Sequence, residues 1–78
     1  MTAKDKVKAA ALKDPEIICA KDKAGETLGS DAKYLEEILG IGKSDLIRLE
    51  RLGLAVKARY ETKQGHRIRW LIFSEALV

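Results

Sequence analysis

Residues 35–54, the stretch that decides the predicted fold, read LEEILGIGKSDLIRLERLGL. Leucine and isoleucine recur at helical spacing on both sides of a Gly-Ile-Gly interruption at 40–42. Because glycine readily ends a helix, the pattern predicts one short helix that ends at Gly40. It predicts a second that begins at Lys43 or Ser44, runs to about Leu52 and stops at Gly53.

The second of these helices has two distinct sides on a helical wheel. Leu46 and Leu49 share one side, which predicts that they pack inward. The opposite side carries Ser44, Ile47, Arg48 and Arg51. A hydroxyl, an aliphatic group and two guanidiniums suit a DNA major groove, where they contact phosphate, a thymine methyl and guanine. The alternative is that Ile47 covers a neighbouring helix and that the arginines are only solvated.

Several segments precede this stretch. Alanines and an apolar face predict a helix over residues 4–13. An Asp-Pro-Glu sequence at 14–16 predicts a second helix over about 15–23, with a short strand over 17–19 as the alternative. After a loop over 24–29, Ser30 is predicted to cap the next helix, with Asp31 in its first turn. Leu35, Ile38 and Leu39 form the apolar stripe of that helix.

A β-hairpin is predicted after residue 54, where apolar and polar residues begin to alternate. A three-residue loop over 63–65 pairs Thr62 with His66 and sets Ala58 opposite Trp70. This register puts Tyr60 and Trp70 on one apolar face, where both are predicted to be core residues. A two-residue loop is expected to mix the two faces.

The other face of this hairpin is basic. Five cations are predicted to line that face or the hairpin tip: Lys57, Arg59, Lys63, Arg67 and Arg69. They suit phosphate contacts, which position a protein on DNA without reading its sequence. The alternative is that these charges discourage edge-to-edge pairing of strands. Leu71 and Phe73 also fall on the polar face, so they need a further cover, either an earlier helix or a partner subunit.

Residues 35–54 resemble the helix-turn-helix core of winged-helix DNA-binding proteins, such as MarR-like and ArsR-like repressors. The shared pattern is a helix ending in Leu-Gly-Ile, a recognition helix opened by Ser44, and Arg-Leu-Gly-Leu before a basic wing. The recognition helix is about one turn shorter than in the usual repressors. The resemblance covers roughly residues 30–73.

The resemblance implies a mainly α fold with a C-terminal β-hairpin (α+β), namely a winged helix-turn-helix with a two-stranded basic wing. The length of 78 residues predicts a single domain over residues 1–78, and the resemblance places the helix-turn-helix at 30–52 and the wing at 54–74. The recognition helix, about 43–52, would enter the major groove, and the wing would lie on the backbone or in the minor groove. The expected DNA contacts on that helix are Lys43, Ser44, Ile47, Arg48 and Arg51.

The charge distribution agrees with this expectation. Residues 1–42 hold seven lysines and eight acidic residues, whereas residues 43–78 hold eight basic and four acidic residues, including all five arginines. A basic half joined to a nearly neutral half favours a nucleic-acid surface on an ordinary scaffold. The alternative is a solvated, charged surface.

The composition excludes several classes of protein. One cysteine and one histidine leave no disulfide, no metal cluster and no nucleophilic triad, so we predict neither an enzyme nor a cofactor. No apolar run spans a bilayer, so no membrane partner is predicted. The expected location is the reducing cytoplasm, associated with the nucleoid. The absence of asparagine and the single glutamine favour a thermophile.

The sequence therefore predicts a small transcriptional regulator that binds double-stranded DNA as a homodimer, because two half-sites multiply the affinity of one short helix. The alternative function is a winged-helix protein-protein interaction module in a replication, transcription or membrane-remodelling assembly. The sequence does not identify an operator or a small-molecule effector.

Overall fold

The computed structural model describes residues 1–78 and contains three α-helices and four strands. The helices are α1 (Ala3–Lys13), α2 (Ala32–Glu37) and α3 (Lys43–Arg51). The strands are β1 (Ile18–Cys19), β2 (Ser30–Asp31), β3 (Ala55–Thr62) and β4 (Gly65–Phe73). Three 3-10 turns, at Pro15–Ile17, Lys21–Glu26 and Ser74–Leu77, complete the chain. None of the helices is both long enough and apolar enough to span a bilayer.

The first helix, α1, is fixed at its start by a reciprocal pair of hydrogen bonds. The Thr2 hydroxyl accepts from the Asp5 amide at 3.1 Å, and the Asp5 carboxylate accepts from the Thr2 amide at 3.2 Å. This capping box satisfies two amides that the helix itself leaves without partners. Val7 and Ala10 are buried, as the spacing predicts, so the predicted first helix is confirmed.

The third helix, α3, is also confirmed, within one residue of its predicted end. Leu46 and Leu49 are fully buried, which agrees with the helical wheel. Gly53 follows with a φ of 75°, a left-handed conformation that favours glycine and ends the helix. A bond of 2.9 Å between Lys6 Nζ and Asp45 Oδ2 joins α1 to the first turn of α3.

All the strand pairing converges on β4. On one side, β3 pairs with β4 antiparallel over its whole length. On the other side, β1 pairs in parallel through Ile18 and Ile72, and β2 pairs antiparallel through Ser30 and Trp70. The helices pack on the face that carries Trp70 and Ile72, which belong to the buried apolar cluster with Leu46 and Leu49.

This sheet overturns the predicted fold class. A mainly α fold with a two-stranded wing, the winged helix-turn-helix, is wrong, because the protein is α+β with a four-stranded mixed sheet. The physical reason lies in Trp70, Leu71, Ile72 and Phe73, all of which are buried. Consecutive buried residues require cover on both faces of a strand. The C-terminal half of β4 is therefore interior, and β1 and β2 supply its second neighbouring edge.

Two predictions for the N-terminal half are also wrong. The helix over 15–23 is absent: a 3-10 turn is followed by β1, so the alternative of a short strand is the correct one. Asp14 caps that turn by accepting from the Glu16 amide at 3.1 Å. Ser30 does not cap α2: the helix begins one residue later than predicted, and Asp31, the last residue of β2, caps it by accepting from the Lys33 amide at 2.9 Å.

The predicted hairpin register is displaced by one residue. Thr62 pairs with Gly65 across a two-residue loop, and Trp70 lies opposite Lys57 rather than Ala58. The Thr62 hydroxyl donates to the Gly65 carbonyl at 3.0 Å and accepts from the Gln64 amide at 3.3 Å, which closes this shorter turn. Side chains alternate along a strand, so the shift also moves Tyr60 off the core face and leaves it half-buried.

Leu71 and Phe73 find their cover within the same chain. They lie on the face of β4 opposite Trp70, and both are buried. The segment that connects β1 to β2 supplies cover there: Gly29 approaches Leu71, and the Lys21 ammonium lies 5.7 Å from the centre of the Phe73 ring. Neither an earlier helix nor a partner subunit is needed to explain their burial.

Candidate nucleic-acid interface

The outer side of α3 presents polar and cationic side chains to solvent. Ser44, Arg48 and Arg51 are exposed, whereas Leu46 and Leu49 anchor the inner side in the core. Neither arginine takes part in a salt bridge. The guanidiniums are therefore available to an external acceptor, and the buried leucines hold the backbone that carries them in place.

Asp45, the one acidic residue in the first turn of α3, is paired with a cation and with a backbone amide. The Asp45 carboxylate accepts from the Gly42 amide at 3.2 Å and from the Lys6 ammonium at 2.9 Å. Gly42, at the N-cap position, has no side chain to accept from the first-turn amides. These amides and the positive end of the helix dipole therefore suit an external anion such as phosphate.

Ile47 does not lie on the fully exposed side of α3. It is half-buried and lines a groove between α2, α3 and the hairpin, of about 430 Å³. Ile68 and Trp70 contribute to the apolar lining, while Lys43 and Lys57 also border the groove. This position agrees with the alternative interpretation of Ile47 as a covering residue rather than a contact to a thymine methyl.

The five hairpin cations are divided between two faces. Register places Lys57 and Arg59 on the helix-bearing face, opposite Trp70 and Ile68. The remaining strand arginines lie on the other face, and Lys63 is in the turn. The expectation that all five line one face or the tip is therefore wrong, because it depended on the displaced register.

Arg67 and Arg69, on the far face, are both engaged inside the molecule. Arg67 lies 3.3 Å from the Asp31 carboxylate. Arg69 donates from Nε to the Leu28 carbonyl at 3.0 Å and from Nη2 to the Gly29 carbonyl at 2.6 Å. The two Arg69 bonds hold the β1–β2 connection against the sheet, so Arg69 has a structural role that the sequence pattern did not reveal.

Arg59 has a weaker internal partner. Its Nη2 lies 2.9 Å from Nε2 of His66, which is next to the hairpin turn. Because a guanidinium only donates, the imidazole accepts in this bond. Glu61 faces His66 directly across the strands. Both side chains of the Arg59–His66 pair are exposed, so a stronger acceptor can replace the imidazole.

Five of the eight predicted cations are exposed and make no salt bridge or side-chain hydrogen bond within the protein. They lie on α3, on β3 and in the hairpin turn, on or next to the helix-bearing face: Lys43, Arg48, Arg51, Lys57 and Lys63. Lys43 and Lys57 border the same groove, so α3 and the hairpin contribute to one surface.

The titratable groups with shifted pKa values lie outside this surface. Burial raises the pKa of the Cys19 thiol, which lowers its reactivity near neutral pH. The hydrogen bond of 2.6 Å that the Tyr34 hydroxyl donates to Asp14 raises the pKa of Tyr34. No three His, Cys, Asp or Glu side chains are grouped so that they could hold a metal ion. The surface therefore offers charge and hydrogen-bond donors rather than a reactive group.

Comparison with protein-family models, with curated proteins and with solved structures finds no match to this chain. The resemblance of residues 35–54 to repressor helix-turn-helix cores is not tested by these comparisons and stays a prediction.

Proposed function

We propose that this protein binds double-stranded DNA, with α3 in the major groove and the β3–β4 hairpin against the adjoining backbone. The observation that carries the proposal is the outer side of α3. Ser44, Arg48 and Arg51 are exposed there, and neither arginine has an ionic partner within the protein. The exposed cations of the hairpin extend the same surface. The resemblance of the same stretch to repressors also favours DNA. The corresponding biological role is a small transcriptional regulator of the cytoplasmic nucleoid that acts as a homodimer.

The proposal assigns different tasks to different cations. Arg48 and Arg51 are the candidates for bidentate bonds to guanine, since they lie on the solvent side of α3. Lys43, Lys57 and Lys63 are suited to phosphates, which attract a mobile ammonium regardless of sequence. Arg69 is assigned no DNA contact, because two carbonyl oxygens already accept from its guanidinium.

The first test is fluorescence anisotropy of a labelled random duplex across a salt series. We expect the logarithm of affinity to fall linearly with the logarithm of salt concentration. The slope should correspond to about four to six neutralised phosphates, at roughly −0.9 per phosphate. If the folded protein shows no binding even at low salt, the DNA proposal is wrong.

Two substitutions separate base contacts from phosphate contacts. Arg48→Ala is expected to remove discrimination between selected and random duplexes, by about 1–3 kcal/mol per lost guanine contact. Lys63→Ala is expected to weaken binding to all duplexes about equally and to reduce the salt slope by about one phosphate. Lys8→Ala, on the exposed side of α1, is the matched control and should change neither property. Unchanged affinity and sequence preference in Arg48→Ala would show that α3 is not the recognition helix.

A protein-docking function is the second candidate, and the groove favours it. Its lining includes Ile47 and Ile68, and two further apolar side chains, Ile38 and Leu52, are 62% and 61% exposed near the ends of α2 and α3. Exposed apolar groups of this kind occur at protein interfaces. Docking would be established instead if the folded protein does not bind DNA, and if it retains a protein partner that Ile47→Asp no longer binds.

A further inference from the structure

The two edges of the sheet differ in their capacity to accept another strand. One edge consists of β1 and β2, which are two residues each and are separated by the ten-residue connection that crosses the far face. This edge is interrupted. The other edge is β3, which has eight residues and pairs only with β4. An uninterrupted unpaired edge is a template for a further strand.

The β3 strand lacks the backbone features that usually block such pairing. It contains neither proline nor glycine, and its register with β4 is continuous from Ala55 to Thr62, with no bulge. Its protection consists only of charges on the helix-bearing face, at Lys57, Arg59 and Glu61. Because the charges include both signs, they exclude some partners and attract others.

The far face of β3, opposite the helices, is apolar. Val56 is 44% exposed, and Ala58 and Tyr60 are half-buried beside it. Strand addition at this edge would place these side chains next to those of the incoming strand. The edge therefore combines free backbone groups, an apolar stripe on one face and a mixed-charge row on the other.

We propose that β3 pairs antiparallel with β3 of a second copy, around a two-fold axis perpendicular to the sheet at Tyr60. In this register Tyr60 lies opposite the partner's Tyr60, and Arg59 lies opposite the partner's Glu61. Two opposite-charge pairs form by symmetry, and the two sheets become one. The proposal deepens the homodimer included in the proposed function, but it requires no DNA.

Charge selects this register over its neighbours. Centring the axis on Ala58 would set Lys57 against the partner's Arg59 twice. Centring it on Arg59 would pair Lys57 with the partner's Glu61 twice but would set two guanidiniums against each other, and centring it on Glu61 would oppose two carboxylates. Like charges directly opposite each other destabilise a sheet. Only the Tyr60-centred register has opposite charges alone within the bounds of β3.

Sedimentation velocity without DNA, from micromolar to about 1 mM protein, tests the proposal. We expect a concentration-dependent dimer. Arg59→Glu and Glu61→Arg should each weaken the dimer by roughly tenfold or more in Kd, because each turns two attractive pairs into repulsive ones. The double variant R59E/E61R restores opposite charges and should recover the wild-type Kd to within a few-fold. Lys8→Glu, on α1, makes the same change in charge as Arg59→Glu and should leave the dimer unaffected.

Circular dichroism melts of each variant distinguish loss of pairing from loss of folding. A monomer at every concentration overturns the proposal, as does a double variant that dimerises no better than the singles. The variant K57E/E61K keeps the two opposite-charge pairs of the Arg59-centred register, whereas it makes both pairs of the Tyr60-centred register repulsive. If K57E/E61K dimerises like wild type and R59E/E61R does not, the Tyr60-centred register is wrong. DNA affinity is measured separately by anisotropy, so a dimer without DNA binding refutes the proposed function but not this interface.

Discussion

Gly29→Ala is expected to destabilise the fold far more than the same substitution at a glycine with the same φ. Gly29 and Gly53 both have a φ of 75°. A Cβ at Gly53 would meet no atom within 4 Å, whereas a Cβ at Gly29 would lie 2.6 Å from the carbonyl oxygen of Trp70 and 2.9 Å from its carbon. The two substitutions therefore separate conformational strain from steric overlap.

The magnitude follows from these contacts. Left-handed backbone costs alanine about 1–2 kcal/mol, and Gly53→Ala should lose only this amount. At Gly29 the obstacle is the backbone of β4, which cannot rotate away as a side chain can. Relief of the overlap requires β2 to separate from Trp70 and weakens the two bonds that Arg69 donates to the neighbouring carbonyls. We expect a further loss of about 2–4 kcal/mol.

Urea unfolding followed by tryptophan fluorescence measures both variants, because Trp70 is the single tryptophan and is only 4% exposed. A chain of this length has a total stability of about 4–12 kcal/mol, so Gly29→Ala should lose a large part of it. The reasoning is refuted if the two variants differ from each other by less than about 1 kcal/mol.

Three further outcomes are expected. Arg69→Gln should lower the free energy of unfolding by about 2 kcal/mol yet leave the salt slope of DNA binding unchanged. Arg67→Gln should lower the free energy of unfolding by less than about 1 kcal/mol. A reduced salt slope in Arg69→Gln would contradict the structural role of Arg69. The backbone bond from Thr2 lowers the pKa of Asp5, so wild type should exceed Asp5→Asn in stability above about pH 4 and lose that advantage as the pH falls through the lowered pKa. Denaturant titrations in which the difference does not shrink as the pH is lowered below about 4 would refute this. Ile47→Ala should lower the free energy of unfolding by about 1 kcal/mol, as measured by urea unfolding. If the substitution weakens only DNA binding, Ile47 is a DNA contact rather than a covering residue.

The helix α3 could be predicted from local signals, whereas α2 ends at Glu37, three residues before the predicted stop at Gly40. The amphipathic pattern of α3 and its stop at Gly53 are properties of ten consecutive residues, and they suffice to identify Leu46 and Leu49 as buried. By contrast, β1 and β2 are two residues long, which is too short for any periodicity. Their pairing depends on β4, which lies about 40 residues or more away in sequence. A sequence pattern alone does not specify such contacts.

The hairpin shows how a small local error changes a predicted site. The two-residue turn is closed by bonds of the Thr62 hydroxyl, which the alternating pattern does not encode. One residue of displacement moved Arg67 and Arg69 to the opposite face from Lys57 and Arg59. The run of four apolar residues that ends β4 was visible, however, and a continuous run of this kind is itself a signal for a central strand.

The dependence of every other strand on β4 has a consequence for synthesis of the chain. Because β4 spans Gly65–Phe73, a ribosome must complete it before any strand of this sheet has a partner. The preceding residues can form only helices of eleven residues or fewer, and isolated helices of that length are marginal in water. They also lack Trp70 and Ile72, which belong to the same buried cluster as Leu46 and Leu49. Assembly of the sheet therefore awaits β4, and the apolar residues of the nascent chain stay exposed until that strand emerges.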